Sequence, residues 1–387
     1  MQFADKMKTF EMNIFSAIDA KKRELEGKGK KLINLSIGTP DFTPDKHVME
    51  AVRDAAMDPE NYKYAVTDIP QLTDAVIYWY KNRYNVDIDK DEYISVFGSQ
   101  EGVPFAALPI CNPGDTVLIP NPGYPAYFFT PTLACANVGF TPLKEENNYL
   151  IDFDNFDTAL ADKAKMMIVS YPSNPLSATA DWDFYERLVH FAKKHDILVI
   201  HDNAYSNIIF DAKPGMSMLE IPGAKDVCVE FNSLSKSYNL TGCRVSFALG
   251  NREVIKKLYT MRSQINYNPF KPVQYGAVAA LTGPQDILKR NTEGYKARRD
   301  ALCESMDEIG WHIPKSKATM FVWAPLPEGH TDSVKFTNDL MEKAGVVTIP
   351  GESFGDLGKD HVRFALTVPC DTLRLAAKQV KESGLIK

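Results

Sequence analysis

The sequence predicts an α/β fold with two parts: a large domain whose mostly parallel sheet is covered by helices on both faces, and a smaller α+β domain. Through the middle of the chain, short apolar runs bounded by turn residues alternate with stretches of helical period. This pattern is typical of parallel strands joined by helices. The last hundred residues change to shorter strands between long helical patterns. A chain of 387 residues is long enough to bury both cores.

The individual elements follow from hydrophobic spacing. Residues 181–194, for example, place Trp182, Phe184, Leu188 and Phe191 at helical intervals. The strands predicted for the large domain span residues 93–97, 116–119, 166–169, 197–200, 227–231 and 245–249. The last third is predicted to hold helices over residues 285–309 and 331–344 and strands over residues 320–323, 346–349 and 362–366.

The domain boundaries are expected where composition changes. We expect residues 1–44 to form an N-terminal arm and part of the small domain. Residues 45–272 would form the large, cofactor-binding domain, and residues 273–387 the small domain with its entry helix. An Asn- and Pro-rich stretch at 266–272 precedes that helix, which is predicted to begin near Val273.

Composition and charge exclude several classes of function. A formal charge of −6 gives no reason to expect nucleic acid or an anionic membrane as partner. The longest apolar runs are far shorter than a membrane span, and the N-terminus lacks the apolar stretch of a secretory signal. Six cysteines and seven histidines are scattered without metal-ligand spacing. We therefore expect no metal and a reducing cytoplasmic location.

Lys236 is the residue with the most specific chemical implication. It follows the fifth predicted strand, with Ser233 three residues before it and Arg244 eight residues after it. An amine beside hydroxyls and a guanidinium suits a cofactor that has both an aldehyde and a phosphate, which is pyridoxal 5′-phosphate (PLP). Taken alone, Lys236 is better interpreted as an exposed lysine in a Ser-rich loop, and the residues described next favour the cofactor site instead.

Polar residues after two other predicted strands would complete a cofactor site. Asp202 could pair with a protonated pyridine nitrogen, and Asn174 and Tyr205 could bind the phenolic oxygen of the ring. Each has a plain structural alternative: a helix N-cap for Asp202, turn chemistry for Asn174 and core packing for Tyr205.

Two further features suit anions. Residues 98–102, which include Ser99 and Gln100, open a predicted helix after a strand, where backbone N–H groups favour a phosphate. Arg363 lies inside an apolar strand and needs an anionic partner. That partner could be the α-carboxylate of a substrate or an internal Asp or Glu.

Taken together, these residues resemble the class I/II aminotransferases of PLP fold type I, the aspartate aminotransferase-like enzymes. The resemblance extends from about Leu32 to the C-terminus. The motifs occur in the family's order at residues 36–41 (SIGTPD), 98–102 (GSQEG), 121–125 (NPGYP), 171–175 (YPSNP), 202–205 (DNAY), 233–236 (SLSK) with Gly242 and Arg244, and 362–364 (VRF).

The resemblance implies a role for each matching residue. Lys236 would attach the cofactor, with Asp202 on its pyridine nitrogen and Tyr124 stacked on its ring. The Gly38 backbone and Arg363 would bind the substrate carboxylate, with Asn174 beside them. The phosphate would be held by Ser99, Gln100, Ser233 and Arg244. A homodimer with shared active sites is also implied, in which Tyr64, or Tyr62 in its place, would touch the partner's phosphate.

Three motifs depart from the family pattern, at four positions. The usual Asn-Pro-Thr-Gly reads Asn-Pro-Leu-Ser at residues 174–177. The glycine expected before Ile69 is Asp68, and the tryptophan often found before the phosphate-binding arginine is Cys243. None of these changes removes a catalytic group.

The resulting expectation is an aminotransferase that moves an amino group from an L-amino acid to a 2-oxo acid, passing through pyridoxamine phosphate in a ping-pong cycle. The alternative is a carbon–sulfur β-lyase of the cystathionine type on the same fold. The donor stays open. Arg262 and Lys271 are positional candidates for binding a side-chain carboxylate, and Phe15, Tyr124 and Phe270 for an apolar side chain.

Overall fold

A seven-stranded sheet forms the centre of the large domain in the computed structural model, which describes residues 1–11, 14–210 and 215–386. The strand order is β2-β8-β7-β6-β5-β3-β4, and only β8 runs antiparallel to its neighbours. The predicted α/β fold class is confirmed. The strands are β2 (Tyr93–Val96), β3 (Thr116–Asn121), β4 (Asn137–Pro142), β5 (Ala164–Val169), β6 (Leu198–Asp202), β7 (Cys228–Ser233) and β8 (Ser246–Gly250).

The helices lie around this sheet and over the second, smaller one. Along the first part of the chain they are α1 (Met7–Glu11), α2 (Ile14–Gly27), α3 (Lys46–Ala56), α4 (Pro70–Tyr84), α5 (Ser99–Ile110), α6 (Pro125–Leu133), α7 (Thr158–Ala161) and α8 (Trp182–His195). The later helices are α9 (Leu234–Ser237), α10 (Arg252–Arg262), α11 (Lys271–Thr282), α12 (Asp286–Asp307), α13 (Ser333–Asp339) and α14 (Cys370–Glu382). Within the described ranges, no helix is both long and apolar enough to cross a bilayer.

Two smaller sheets lie in the last third of the chain, and one of them includes a strand from the N-terminal segment. An antiparallel sheet has the order β11 (Ile349–Pro350), β12 (His361–Ala365) and β9 (Phe321–Pro325). Near it, β1 (Ile33–Asn34) pairs in parallel with β10 (Val346–Val347). The single strand predicted over 346–349 is therefore wrong: its two halves pair with different partners, so the chain changes sheet within it.

Strand β4 was not predicted, because its sequence gives a weak signal. It alternates between exposed and buried positions at the sheet edge, and it contains Gly139 and ends at Pro142. Both residues disfavour strands and are tolerated best at an edge. Only its register against β3, from Thr116 with Asn137 onward, identifies it.

The reversed direction of β8 determines what reaches the site. The parallel strands end on one edge of the sheet, so Gly98, Asp202 and Ser233 are brought together there. Because β8 runs the other way, its beginning lies on that same edge, and Arg244 lies two residues before it. The candidate site residues that follow the parallel strands and the one that precedes β8 therefore lie at the same edge of the sheet.

Candidate active site

A cavity of about 990 Å³ opens at this edge, between the large sheet and the small antiparallel sheet. Its lining includes every predicted site residue except Tyr64. The predicted residues that line it are Gly38, Ser99, Gln100, Tyr124, Asn174, Asp202, Tyr205, Ser233, Lys236, Arg244 and Arg363. Residues far apart in sequence therefore form one site.

Lys236 lies in the short helix α9, whose first turn is capped by the Ser233 hydroxyl accepting from the Ser235 N–H. Its Nζ donates to the Gly38 carbonyl at 2.6 Å. Burial, followed by the charges of Arg363 and Arg244, lowers the pKa of Lys236 to about 8. An amine with such a pKa exists partly uncharged near neutral pH, which is the form that attacks an aldehyde.

Asp202 provides a direct test of whether a pyridine ring fits. Its carboxylate is 7% exposed, and Oδ2 accepts from the Tyr127 hydroxyl at 2.8 Å. Oδ1 is buried without a partner in the described structure. Burial raises the pKa of Asp202, against the hydrogen bond from Tyr127. A protonated ring nitrogen would satisfy Oδ1, so the residues present fit PLP.

Asn174 and Tyr205 lie close to Asp202 and keep donors available. The Asn174 amide oxygen accepts from Arg363, and within the described residues its amide nitrogen has no partner. The Tyr205 ring packs edge-on against Phe321 with 5.8 Å between centroids, and its hydroxyl has no hydrogen-bond partner in the same described set. Two donors are thus available for a phenolic oxygen.

The Gly98 turn (residues 97–100) leads into the N-terminus of α5 and lies against Arg244. Gly98 has φ +93°, and a Cβ there would lie 2.1 Å from an Arg244 nitrogen, so only glycine fits. Arg244 donates to the carbonyls of Phe97 at 3.0 Å and Thr241 at 2.9 Å. Ser99 and Gln100 form the first turn of α5, where free N–H groups and the helix dipole favour an anion.

Arg363 is a buried cation that has no counter-ion among the described residues. Its side chain is 3% exposed, and its nitrogens donate to Asn174 Oδ1 at 2.8 Å and to the Ser36 carbonyl at 2.7 Å. Nε has no partner, and no carboxylate in the described part of the chain pairs with it. The internal ion pair considered above is therefore not formed. Burial lowers the pKa of Arg363 to about 10.

Phe321 and Phe354 complete the environment of Arg363. The guanidinium carbon lies 4.2 Å from the Phe321 ring centroid and 4.9 Å from that of Phe354. Phe321 also approaches Gly38 so closely that a Cβ there would lie 2.5 Å from the ring. The rings hold the guanidinium in place and leave its charge for a carboxylate.

Tyr64 and Tyr62 lie outside the cavity of their own chain. Tyr64 is 79% exposed, and its ring contacts Tyr267 with 4.9 Å between centroids. Tyr62 contacts Phe270 in the same way, at 5.3 Å. Neither tyrosine reaches the phosphate-binding candidates of its own chain.

The cavity also contains residues that sequence reasoning missed. Tyr127 is the hydrogen-bond partner of Asp202, and Ser36 that of Arg363. The sequence contained one indication that Tyr127 belongs to the site, because it lies about one helical turn after Tyr124. Phe321 gave none, because its contacts with Gly38 and Arg363 come from distant parts of the chain.

The candidates for side-chain recognition are not all in the cavity. Tyr124 lines it, whereas Arg262, Lys271 and Phe270 do not. Arg262 is buried against Ser95 and Asn268. The Phe15 side chain lies outside the described part of the structure.

Comparisons with known proteins agree with this geometry. The family model for aminotransferase class I and II matches residues 30–380. An LL-diaminopimelate aminotransferase of Moorella thermoacetica is 39% identical, over 98% of each chain. The glutamate-pyruvate aminotransferase AlaC of Escherichia coli is 38% identical, over 97% of this chain and 92% of its own.

Solved structures share the whole fold. Apo-BacF from Bacillus subtilis superposes with a TM-score of 0.94 at 36% identity, covering 99% of this chain and 98% of its own. A single mutant of Thermus thermophilus aspartate aminotransferase gives a TM-score of 0.93 at 25% identity, covering 99% and 100%. The fold is thus shared with many solved structures.

Proposed function

The chain belongs to the class I and II aminotransferase family and is a PLP-dependent aminotransferase; on this basis we propose the role of each residue in the cavity. Lys236 attaches the cofactor and carries the proton at the substrate Cα. Asp202 pairs with the ring nitrogen. The observation that supports this assignment most strongly is that Asp202 Oδ1 and Arg363 Nε, whose residues both line the cavity, have no hydrogen-bond partner among the described residues.

The remaining roles follow from the free groups. Asn174 and Tyr205 donate to the phenolic oxygen, and Tyr124 packs on the ring face. Ser99, Gln100, Ser233 and Arg244 bind the phosphate. When bound, PLP supplies a ring that accepts the electron pair left on removal of the Cα proton.

The substrate carboxylate would bind at Arg363 and the Gly38 backbone. Two guanidinium nitrogens, the buried Nε and one Nη, suit a bidentate contact with one carboxylate. This binding places Cα beside Lys236, because the Lys236 amine already lies 2.6 Å from the Gly38 carbonyl. Proximity of amine and Cα–H is what a general base needs.

For the amino donor, we propose LL-diaminopimelate as the first substrate to test and glutamate with pyruvate as the second. The relatives named for these activities cover nearly the whole chain at 38–39% identity. The carbon–sulfur lyase is the weaker candidate, since the relatives named above are all aminotransferases.

We also propose that the protein is a homodimer with shared active sites. The support is an exposed aromatic face, made of Tyr62, Tyr64, Val66, Ile265, Tyr267 and Phe270, each at least 45% exposed; within it the rings of Tyr62 and Phe270 are in contact, as are those of Tyr64 and Tyr267. An apolar face of this kind is typical of an interface. In a dimer Tyr64, or else Tyr62, would reach the partner's phosphate.

The division into residues 1–44, 45–272 and 273–387 is likewise proposed. The pairing of β1 with β10 supports assigning the N-terminal segment to the small domain. The boundary helix α11 packs against α3 and α4, so it is attached to the large domain. A cytoplasmic location is proposed on the six free cysteines, since disulfides persist in oxidising compartments.

A donor panel without acceptor tests the function. The PLP-loaded protein is mixed with LL-diaminopimelate, glutamate, alanine and cystathionine, and 2-oxo acid and ammonia are measured. We expect one equivalent of 2-oxo acid per active site and no ammonia, because the cycle stops until an acceptor is added. Continued release of ammonia from cystathionine would indicate the lyase instead.

A further inference from the structure

Asp68 occupies the position where the aminotransferase family pattern has glycine. Both oxygens of its carboxylate accept hydrogen bonds. Oδ2 accepts from the Tyr93 hydroxyl at 2.9 Å, and Oδ1 accepts from the Ser95 hydroxyl at 2.7 Å. Tyr93 and Ser95 lie on one face of edge strand β2, since they are two residues apart. A glycine would leave both buried hydroxyls without this acceptor.

Arg262 is a buried cation close to the Asp68 carboxylate. It is 4% exposed and donates to the Ser95 carbonyl and to Asn268 Oδ1. The titratable groups that face it are Asp68, Tyr93, Glu101 and Tyr259, of which only Asp68 and Glu101 are acids. Asp68 and Arg262 form no ion pair among the described residues, but both contact Ser95, so the negative charge of Asp68 lies close enough to reduce the cost of burying Arg262.

The surrounding backbone ties a loop to this cluster. The Asn268 N–H donates to the Ala65 carbonyl at 2.9 Å, and the Ile69 N–H donates to the Gln274 side chain at 2.8 Å. Residues 65–69 are thus attached at both ends to residues 268–274. Between these attachments the chain presents Val66, and Tyr64 precedes them; both belong to the exposed aromatic face.

The same cluster is attached to the Gly98 turn. Strand β2 continues from Ser95 directly into that turn, whose Phe97 N–H donates to Glu101 at 3.2 Å. Arg244 holds the Phe97 carbonyl from the other side. Asp68 therefore links a loop on the exposed aromatic face to the turn that opens the anion site, through a single short strand.

We propose that Asp68 is a positioning residue that couples the loop carrying Tyr64 to the Gly98 turn. This proposal rests on the roles proposed above for that turn and for Tyr64. It holds residues 62–67 in a fixed relation to the turn, so that order in the loop and binding of the cofactor phosphate stabilise one another. In this chain a carboxylate performs a task for which the related motif has no side chain.

Amide hydrogen exchange of the PLP-loaded protein tests the coupling. In Asp68→Asn we expect exchange in peptides covering residues 62–67 and 97–100 to be roughly tenfold faster and PLP to bind roughly tenfold more weakly, as when a buried polar contact is lost. The matched control is Asp74→Asn, an exposed residue whose carboxylate pairs with Lys90 at 2.9 Å, and it should change neither.

Two outcomes would overturn the coupling. One is faster exchange at residues 62–67 with unchanged exchange at residues 97–100. The other is a lower melting temperature with an unchanged PLP dissociation constant, since a purely structural role moves only the first quantity.

Milder variants decide the question if Asp68→Asn does not fold. Tyr93→Phe and Ser95→Ala each remove one donor to Asp68, so both should shift exchange and PLP binding in the same direction by less. Absence of any shift in both variants would refute the coupling. Sedimentation of the wild type separates the two proposals: a monomer would refute the homodimer, while the exchange difference between Asp68→Asn and wild type still decides the role of Asp68.

Discussion

The two faces of strand β6 carry buried polar groups of opposite character. His201 and Asp202 are neighbours, so their side chains point to opposite sides of the sheet. Behind the sheet, His201 contacts Glu230, whose carboxylate accepts from His201, Tyr80, Ser217 and the Met218 N–H at 2.8–2.9 Å. In the cavity, one Asp202 oxygen has no hydrogen-bond partner among the described residues.

This difference distinguishes a buried polar cluster that stabilises the fold from polar groups that are available to a ligand. The Glu230 cluster (Glu230, His201, Tyr80, Ser217 and Met218) is satisfied by the protein itself. Burial would raise the pKa of Glu230, but the hydrogen bond from His201 and those from Ser217 and Tyr80 hold it below its usual range. Asp202 and Arg363 are equally buried and are satisfied only partly. Polar groups buried at such a cost indicate a ligand.

The largest effect is expected at Lys236. Lys236→Ala should lower turnover by about 10²–10⁴-fold, because the cofactor attachment and the general base are both removed. Steady-state rates with the best donor measure this. The fold should be kept, as circular dichroism can show, and near-normal transamination would contradict the assignment.

Glu230→Gln tests whether the Glu230 cluster serves stability. Removing this charge should lower the free energy of unfolding by about 3–5 kcal/mol, because one of the two oxygens that accept hydrogen bonds becomes an NH2 group, which then faces other donors. Since the folded pKa of Glu230 is lowered, its contribution is present above the usual glutamate pKa. The difference from wild type should therefore shrink as pH falls through and below that value.

Asp202→Asn is the matched change on the other face. Denaturant unfolding of the apoprotein should show no loss of stability, because the charge removed was incompletely paired. Turnover should fall strongly in this variant, whereas Glu230→Gln should keep its turnover per folded molecule. Equal stability losses in the two variants would remove the distinction between the faces.

Arg363→Met should separate binding from stability. The KM for the amino donor should rise about 100-fold through loss of a buried charged contact. The apoprotein should become more stable, since an unpaired buried cation is replaced by an apolar group. Arg298→Met is the control: Arg298 is also buried but pairs with both oxygens of Asp41 at 2.6 and 2.7 Å, so its loss should destabilise the protein.

The smallest effect concerns the pH dependence of the apoprotein. With a folded pKa of about 8, Lys236 binds a proton less readily than in the unfolded chain, whose lysine pKa is near 10.5. Stability should therefore rise between these two pH values. We expect about 1–2 kcal/mol, allowing for solvent at the half-buried amine. The rise should be missing in Lys236→Met; an identical pH profile in both proteins would contradict the lowered pKa.

Much of the large sheet could be predicted because its strands are continuous apolar runs buried on both faces, as at 166–169 and 197–200. Strand β4 could not, since it lies at the edge with Gly139 inside it. Nor could the split at 346–349, because the apolar pattern there does not indicate which sheet each half joins.

For the site, motifs identified the residues but not their partners. Lys236, Asp202 and Arg363 were named from residue type and position, and the structure places all three in one cavity. Tyr127 and Phe321 were missed because their roles depend on contacts between distant elements. The role of Tyr64 stays a prediction, since it concerns a second chain.

The visible absorption spectrum of the purified, PLP-loaded protein tests the central claim most directly. We expect an absorption band of lysine-attached cofactor that is lost when a donor amino acid is added without acceptor, and that returns on addition of a 2-oxo acid. A colourless protein that takes up no PLP would contradict the assignment of Lys236, Asp202 and Arg363 to one cofactor site. A band that persists while ammonia accumulates would contradict transamination.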